Sequence, residues 1–288
     1  MQVAMKRNVI RRKSPEPKSA GDAEPEPRDG GVQSVDRALS IIETLAEDDE
    51  GYRLSDLAVR TGLSTSTVHR LLATLEKRRF VHFDRTESKW HVGAQSFSVG
   101  ATFARRRNFA AQAMPYLRKL RDQTRETANL AVVDDESIIV LARIESREIM
   151  RSLTKVGGRV AMVASGVGKA VLATYPDDDV NAIICRQGMP RLTEKSVVRP
   201  GELFRELETI RRRGYAVDDE EARMGLRCIA AVVYNDCSEP LAAISVSGMT
   251  SRITDERLPV LGCIVRAIAA ELTLVLGGVM PPMTEAVG

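Results

Sequence analysis

A glycine turn and a pair of serines are the groups in the second half of this 288-residue chain that suit binding of a small anion. The segment SGVGKA at 165–170 predicts a loop that opens a helix. The first N–H groups of a helix have no partner within it, so those of Gly166 and Val167 are available to an anion. Ser245 and Ser247 lie two apart in an alternating segment, and their hydroxyls therefore share one face of a strand. The alternative, that the glycines serve only the turn, stays open.

Catalysis and nucleotide binding are not expected. All three histidines lie in the first hundred residues: His69, His82 and His91. The rest of the chain therefore lacks a Ser-His-Asp set, a Cys-His set and a histidine-based metal site. Val163 stands where a phosphate-binding loop has its first glycine, and Ala170 replaces the magnesium-binding serine or threonine. An enzyme with Cys228 as nucleophile is the alternative, and it requires a lowered thiol pKa. No cofactor and no metal are predicted.

The composition is that of a soluble globular protein long enough for two domains. The net charge is +3, 43% of residues are hydrophobic and 28% are charged. Four cysteines occur without a CxxC pair, which predicts reduced thiols: Cys185, Cys228, Cys237 and Cys263. No segment is predicted to span a membrane, and the N-terminus lacks an apolar signal core. We therefore expect a cytoplasmic protein.

Residues 54–79 predict a helix-turn-helix. Leu54, Leu57 and Ala58 share a helix face, Gly62 ends that helix, and Ser64 caps the next one. Apolar residues at helical spacing in the second helix leave small polar and basic side chains facing outward, as a DNA major groove requires. The residues predicted to contact DNA from this helix are Thr65, Ser66, Thr67, His69, Arg70, Thr74 and Lys77. The alternative is an αα-hairpin with a solvated polar face.

A β-hairpin follows the second helix. Residues 80–84 and 89–92 alternate around a tip at 85–88, which predicts a winged helix-turn-helix. Arg85 at the tip is predicted to contact DNA as well. Trp90 is interpreted as a core anchor of this wing, not as a base-stacking group.

The remaining chain predicts an α+β protein with several segments. We expect a basic, proline-rich arm (1–31), the winged helix-turn-helix (32–93), a linker helix (94–108), a domain built on an antiparallel sheet (109–278) and a tail (279–288). Strands are predicted at 128–134, 137–144, 147–154, 228–234 and 241–247. Helices are predicted at 34–47, 109–126, 167–175, 177–186, 200–213 and 254–276. The acidic run at 218–221 is, on its own, typical of a solvated loop.

The chain resembles the IclR family of bacterial transcription regulators over residues 32–278. The motifs are VQSVDRALSIIETLAE (32–47), the helix-turn-helix, SGVGKA, RGYAVDDEEARMGLRCIAA (213–231) and AISVSG (243–248). WHVGAQSFSVGATF (90–103) is similar to the glyoxylate- and pyruvate-responsive repressors of acetate (glyoxylate bypass) operons. The resemblance implies a GAF-like effector domain, a homodimer or dimer of dimers, and a palindromic or repeated double-stranded DNA operator.

The resemblance also implies a site for a small 2-oxo acid, glyoxylate first and pyruvate next. The polar residues that match are Gly166, Val167, Asp218, Cys228, Ser245 and Ser247, and the apolar ones are Ile149, Val160 and Leu226. Ser152 departs from the pattern, because an apolar methionine is expected there, and the choice between the two acids therefore stays open. An aromatic or other carboxylic acid is the alternative effector.

Overall fold

The computed structural model describes residues 32–106, 109–134, 137–146 and 155–281. The chain divides into two compact units between Ser98 and Val99. Three predicted features lie outside the described residues: the arm at 1–31, the strand at 147–154 and most of the tail.

Three helices and a hairpin form the first unit. They are α1 (Gln33–Ala46), α2 (Leu54–Thr61), α3 (Thr65–Lys77), β1 (Val81–Asp84) and β2 (Lys89–Val92). The two strands pair antiparallel, with Phe83 opposite Trp90. One apolar core joins these elements: Ile41, Leu45, Leu57, Val68, Leu72, Val81 and Trp90. The predicted helix-turn-helix with a β-hairpin wing is confirmed.

The turn between α2 and α3 has both predicted features. Gly62 ends α2 with φ at 65°, a left-handed conformation that glycine adopts at little cost. Ser64 precedes α3, and its hydroxyl accepts a hydrogen bond from the Thr67 N–H at 3.3 Å. That bond satisfies one of the helix's unpaired N–H groups and fixes where α3 begins.

We expect Ser64→Ala to lower the free energy of unfolding by about 1 kcal/mol, because the cap on α3 is lost. Thermal denaturation of the full chain measures the change. Ser55→Ala is the matched control, since Ser55 is exposed in the first turn of α2 and its hydroxyl donates to the neighbouring Asp56 carboxylate. Equal losses in the two variants would contradict the capping role.

Trp90 anchors the wing in the core. Its side chain is buried, its ring lies 4.9 Å from that of Phe83 between centroids, and its backbone exchanges hydrogen bonds with Tyr52. The interpretation of Trp90 as a core residue is confirmed.

Asp84 shapes the tip of the wing, because its carboxylate accepts hydrogen bonds from the N–H groups of Thr86 and Glu87 at 2.7 and 3.2 Å. These bonds lower the pKa of Asp84.

A six-stranded antiparallel sheet organises the second unit. Helix α4 (Ala94–Arg106) precedes it and matches the predicted linker helix. The elements that follow are, in chain order, α5 (Phe109–Thr124), β3 (Thr127–Asp134), β4 (Ser137–Ile144), β5 (Arg159–Ala161), α6 (Gly166–Leu172), α7 (Asp177–Gln187), α8 (Pro200–Arg213), β6 (Ala216–Asp219), β7 (Leu226–Tyr234), β8 (Pro240–Met249) and α9 (Leu258–Val275). The strand order is β5-β4-β3-β8-β7-β6. The predicted α+β class is confirmed.

Both faces of the sheet carry an apolar core. Alternating side chains of β7 divide between them: Ala230 and Val232 pack with α6, α7 and α8, whereas Ile229 and Val233 pack with α5 and α9. Two short strands, β5 and β6, were not predicted. They form the two edges of the sheet, where three or four residues are too few to show alternation.

Helix α9 overturns one expectation. It has the length and apolar composition of a membrane span, whereas no such segment was predicted. One face of the helix packs on the sheet, where Leu261, Val265, Ile268 and Leu272 are each at most 2% exposed, whereas Val260, Leu274 and Val275 are exposed. Glu271 on the same helix pairs with Lys119 of α5. By length and composition alone such a helix is weak evidence for a membrane, because core helices of soluble proteins pass the same test.

Candidate ligand cavity and nucleic-acid interface

A cavity of about 270 Å³ lies between the sheet and the start of α6. Eight of the nine residues predicted for the effector site line it: Val160, Gly166, Val167, Asp218, Leu226, Cys228, Ser245 and Ser247. The ninth, Ile149, and the departing Ser152 lie outside the described residues. The structure therefore brings these eight residues together from five elements: β5, α6, β6, β7 and β8.

The sheet register explains why the polar groups converge. Asp218 of β6 is opposite Cys228 of β7, which is in turn opposite Ser247 of β8. Ser245 is opposite Asn129 of β3. The Asn129 side-chain amide lies 3.4 Å from the hydroxyl oxygens of both serines and donates to them. A row of hydrogen-bonding groups thus crosses four strands on one face.

The glycine turn approaches the sheet closely. Ser165 caps α6, because its hydroxyl oxygen accepts a hydrogen bond from the Gly168 N–H at 3.1 Å. A Cβ atom on Gly166 would lie 3.1 Å from the Cys228 carbonyl oxygen and 3.3 Å from its sulfur. A side chain at 166 would therefore require β7 to shift by a few tenths of an ångström, and the turn itself does not require glycine, since Gly166 has no positive φ.

The acidic run is not a solvated loop, contrary to what its composition indicates. Asp218 and Asp219 belong to β6, and Asp218 and Glu221 are buried. The Asp218 carboxylate accepts hydrogen bonds from the N–H groups of Glu221 and Ala222 at 2.8 and 3.3 Å. Burial nevertheless raises the pKa of Asp218, since it disfavours the charged form. The raised pKa moves Asp218 toward its neutral form, which is the form that an anion at the cavity wall favours.

A buried cation lies behind this wall. Lys169 of α6 is fully buried, and its ammonium group donates to Glu206 of α8 at 2.6 Å and to Glu221. The sequence reasoning missed Lys169, together with the cavity-lining residues Asn129 and Arg159. Asn129 is a polar residue in an apolar strand, and that irregularity was the available signal. Within the described ranges, no group of three or more histidine, cysteine or carboxylate side chains could hold a metal ion.

Cys228 does not have the properties of a nucleophile. Burial raises the pKa of its thiol to about 11, and the negative charge of Asp218 adds to this effect. The thiol is therefore protonated near neutral pH, whereas a nucleophilic cysteine needs a lowered pKa. This argues against the enzyme alternative.

The exposed face of α3 carries the residues predicted to contact DNA. Thr65, Ser66, His69, Arg70, Thr74 and Lys77 are exposed, as is Arg85 at the tip of the wing. Thr67 is less accessible than these residues because it is half-buried, and its hydroxyl lies 2.8 Å from that of Ser64. His69 and Arg85 line one groove between α3 and the wing. The face is polar and carries the cations Arg70 and Lys77, with Arg85 on the wing, which suits contact with phosphate and base edges.

A winged helix-turn-helix unit followed by a sheet with a cavity that carries a row of polar groups is the architecture of a ligand-responsive DNA-binding regulator. The model described as "IclR helix-turn-helix domain" matches residues 34–85, and "Bacterial transcriptional regulator IclR C-terminal" matches residues 101–274. The chain belongs to the IclR family of transcription regulators, which are not enzymes.

Relatives and solved structures agree with this assignment. The chain is 41% identical over 254 residues to the "Acetate operon repressor" of Salmonella typhimurium and to the "Transcriptional repressor IclR" of Escherichia coli. Each alignment covers 88% of this chain and 93% of the relative. The crystal structure of a putative transcriptional regulator from Rhodococcus is 27% identical, with a TM-score of 0.72, and the match covers 86% of this chain and 99% of that one.

Proposed function

We propose that the chain is a repressor whose operator affinity is changed by a small 2-oxo acid bound in the cavity, glyoxylate first and pyruvate next. The observation that carries the proposal is the convergence on one cavity of Gly166, Asp218, Cys228 and the serine pair, which lie up to 81 positions apart in the sequence. The target genes then belong to glyoxylate- or acetate-type carbon metabolism, as the name of the Salmonella relative suggests. A cytoplasmic location follows from the need to reach DNA.

Each chemical group of the proposed ligand has a matching group in the cavity wall. The N–H groups of Gly166 and Val167 receive the carboxylate, because they stand at the first positions of α6, where no bond within the helix is available. Ser245, Ser247 and the Cys228 thiol face the carbonyl oxygen or its hydrate. Val160 and Leu226 supply the apolar side of the cavity.

An aromatic acid is the second candidate effector. Such a ligand needs a larger apolar wall, and pockets for drug-sized ligands are lined mainly by apolar and aromatic side chains. Here, the described wall contains no aromatic residue, and five polar side chains of Asn129, Asp218, Cys228, Ser245 and Ser247 share one side of it. These features favour the smaller acid.

DNA recognition is proposed to rest on α3 and the wing. In this proposal α3 lies in the major groove with Arg70 at the base edges, while Lys77 and Arg85 bind phosphates. A homodimer or a dimer of dimers matches a palindromic or repeated operator, because protein symmetry and operator symmetry correspond.

We expect millimolar glyoxylate to raise the melting temperature of the full chain by several degrees and to change its operator affinity, since a ligand at 100 times its Kd stabilises by about 2.7 kcal/mol. Ser245→Val removes a hydroxyl from the cavity wall and should abolish both effects. Cys228→Ser keeps a small donor and should retain both, whereas a nucleophilic cysteine would not tolerate the change. If glyoxylate and pyruvate leave both quantities unchanged and 4-hydroxybenzoate shifts them, the aromatic alternative is correct.

A further inference from the structure

Three buried ionisable groups, Lys169, Asp218 and Glu221, and the partly exposed Glu206 form a cluster at the back of the cavity wall. Lys169 bonds to Glu206 and Glu221, and Glu221 is joined through its backbone N–H to the Asp218 carboxylate. Asp218 lines the cavity, so it connects the cluster to any bound ligand. Recognition of the effector, as proposed above, makes no use of Lys169 or the two glutamates.

The cluster contains more acid than base. Three carboxyl groups face one ammonium group, and the net charge is −2 when all are ionised. Arg213 of α8 interacts with Glu206 and offsets part of that charge, whereas Arg159 across the cavity pairs with Asp134 at 2.6 Å and the Cys228 thiol is neutral. On the solvent side, the adjacent Asp219 and Glu220 form ion pairs with Lys195.

One carboxyl oxygen in the cluster lacks a partner. Among the described residues, Glu221 Oε2 is buried and has no hydrogen bond, while its Oε1 accepts from Lys169. A buried and unpaired carboxylate oxygen is costly, which favours the neutral form of this group. Burial accordingly raises the pKa of Glu221 to about 7, despite the opposing effect of Lys169.

We propose that the Asp218–Glu221 carboxyl pair takes up one proton from solvent when a carboxylate effector binds in the cavity. The inference rests on the proposed function, since it requires an anionic ligand beside Asp218. A further negative charge there disfavours ionisation of both carboxyls, and the charge on Asp218 already raises the pKa of Glu221. The arriving proton lets Asp218 donate a hydrogen bond to the ligand where it would otherwise repel it.

The pH dependence follows from the pKa of Glu221 in the free protein, which burial raises to about 7. Well below pH 7 the pair already holds the proton, so binding takes up little and the Kd is nearly constant. Above pH 7 the free protein has lost the proton and must regain it on binding. The Kd should therefore rise as the pH rises, by about tenfold per pH unit for a full proton.

Isothermal titration calorimetry of glyoxylate into the full chain tests this, in buffers that differ in ionisation enthalpy. The number of protons taken up is the slope of the observed heat against that enthalpy. We expect about one proton at pH 8 and less than half a proton at pH 6. Glu221→Gln should at least halve the uptake at pH 8 and flatten the pH dependence of the Kd. Glu208→Gln, an exposed position on α8, is the matched control and should behave as wild type.

Each outcome has one meaning. Binding with no buffer dependence at pH 8 overturns the proton uptake and leaves the proposed effector intact, whereas no binding of glyoxylate or pyruvate overturns both. Uptake that is unchanged in Glu221→Gln overturns the assignment to this pair. If Glu221→Gln does not fold, infrared difference spectra of the wild type decide: a protonated-carboxyl band must grow on binding at pH 8, and its absence contradicts the proposal.

Discussion

Replacing Lys169 with methionine should lower the free energy of unfolding by about 3–5 kcal/mol, which is the usual cost of removing one partner from a buried ion pair. Lys169 is fully buried and bonds to both Glu206 and Glu221. Methionine fills a similar volume but leaves Glu221, already with one unpaired oxygen, without its counter-charge. Denaturant unfolding followed by circular dichroism measures the loss.

The loss should depend on pH. The folded-state pKa of Glu221 is raised, so this group favours the folded state less as the pH rises through about 7. Lys169 lowers that pKa, and removing it raises the pKa further. The variant should therefore be nearer to wild type in stability at pH 6 than at pH 8.

Lys119→Met provides the matched control. Lys119 also forms an ion pair with a glutamate, Glu271, at 2.6 Å, but both side chains are more than 40% exposed. Exposed pairs contribute about 0–1 kcal/mol. Adding Glu221→Gln to Lys169→Met should recover part of the lost stability, because it removes the orphaned charge. A Lys169→Met loss as small as that of Lys119→Met would mean that the cluster is solvated in solution.

Elements set by local signals could be predicted from the sequence. Gly62 and Ser64 fix the turn between α2 and α3 within three residues, and the apolar spacing of α3 defines its buried side. The six-stranded sheet was only partly predictable. Its edges, β5 and β6, form by pairing with β4 and β7, and each edge strand is too short to show an alternating pattern of its own.

The cavity residues also divide into those that local spacing predicts and those that depend on strand pairing. Ser245 and Ser247 reveal their shared face by spacing alone, whereas the position of Asp218 beside Cys228 depends on the β6–β7 register. The family resemblance supplied that pairing in place of geometry. Lys169 could not be found, because a lysine at this position of a glycine-rich motif looks like a surface residue until α8 is packed over it.

Replacing Arg70 with alanine should weaken binding to the operator by about 1–3 kcal/mol, or roughly 5- to 150-fold, while binding to random duplex DNA changes much less. Arg70 is exposed on the second turn of α3, and in the described structure its guanidinium has no carboxylate partner. An arginine fork is free there to form two hydrogen bonds to a guanine edge. Fluorescence anisotropy on an operator selected from a random duplex library measures both affinities.

Lys77→Ala separates base reading from charge. Lys77 is exposed in the last turn of the same helix, and we assign it to phosphate. Its loss should reduce operator and random-DNA affinity by the same factor. It should also reduce the slope of log affinity against log salt concentration by about one, because one phosphate contact is lost. Arg70→Ala should instead lower the ratio of the two affinities. If Arg70→Ala and Lys77→Ala reduce both affinities in parallel, Arg70 contacts the backbone, and base readout by α3 rests on Thr65, Ser66 and His69.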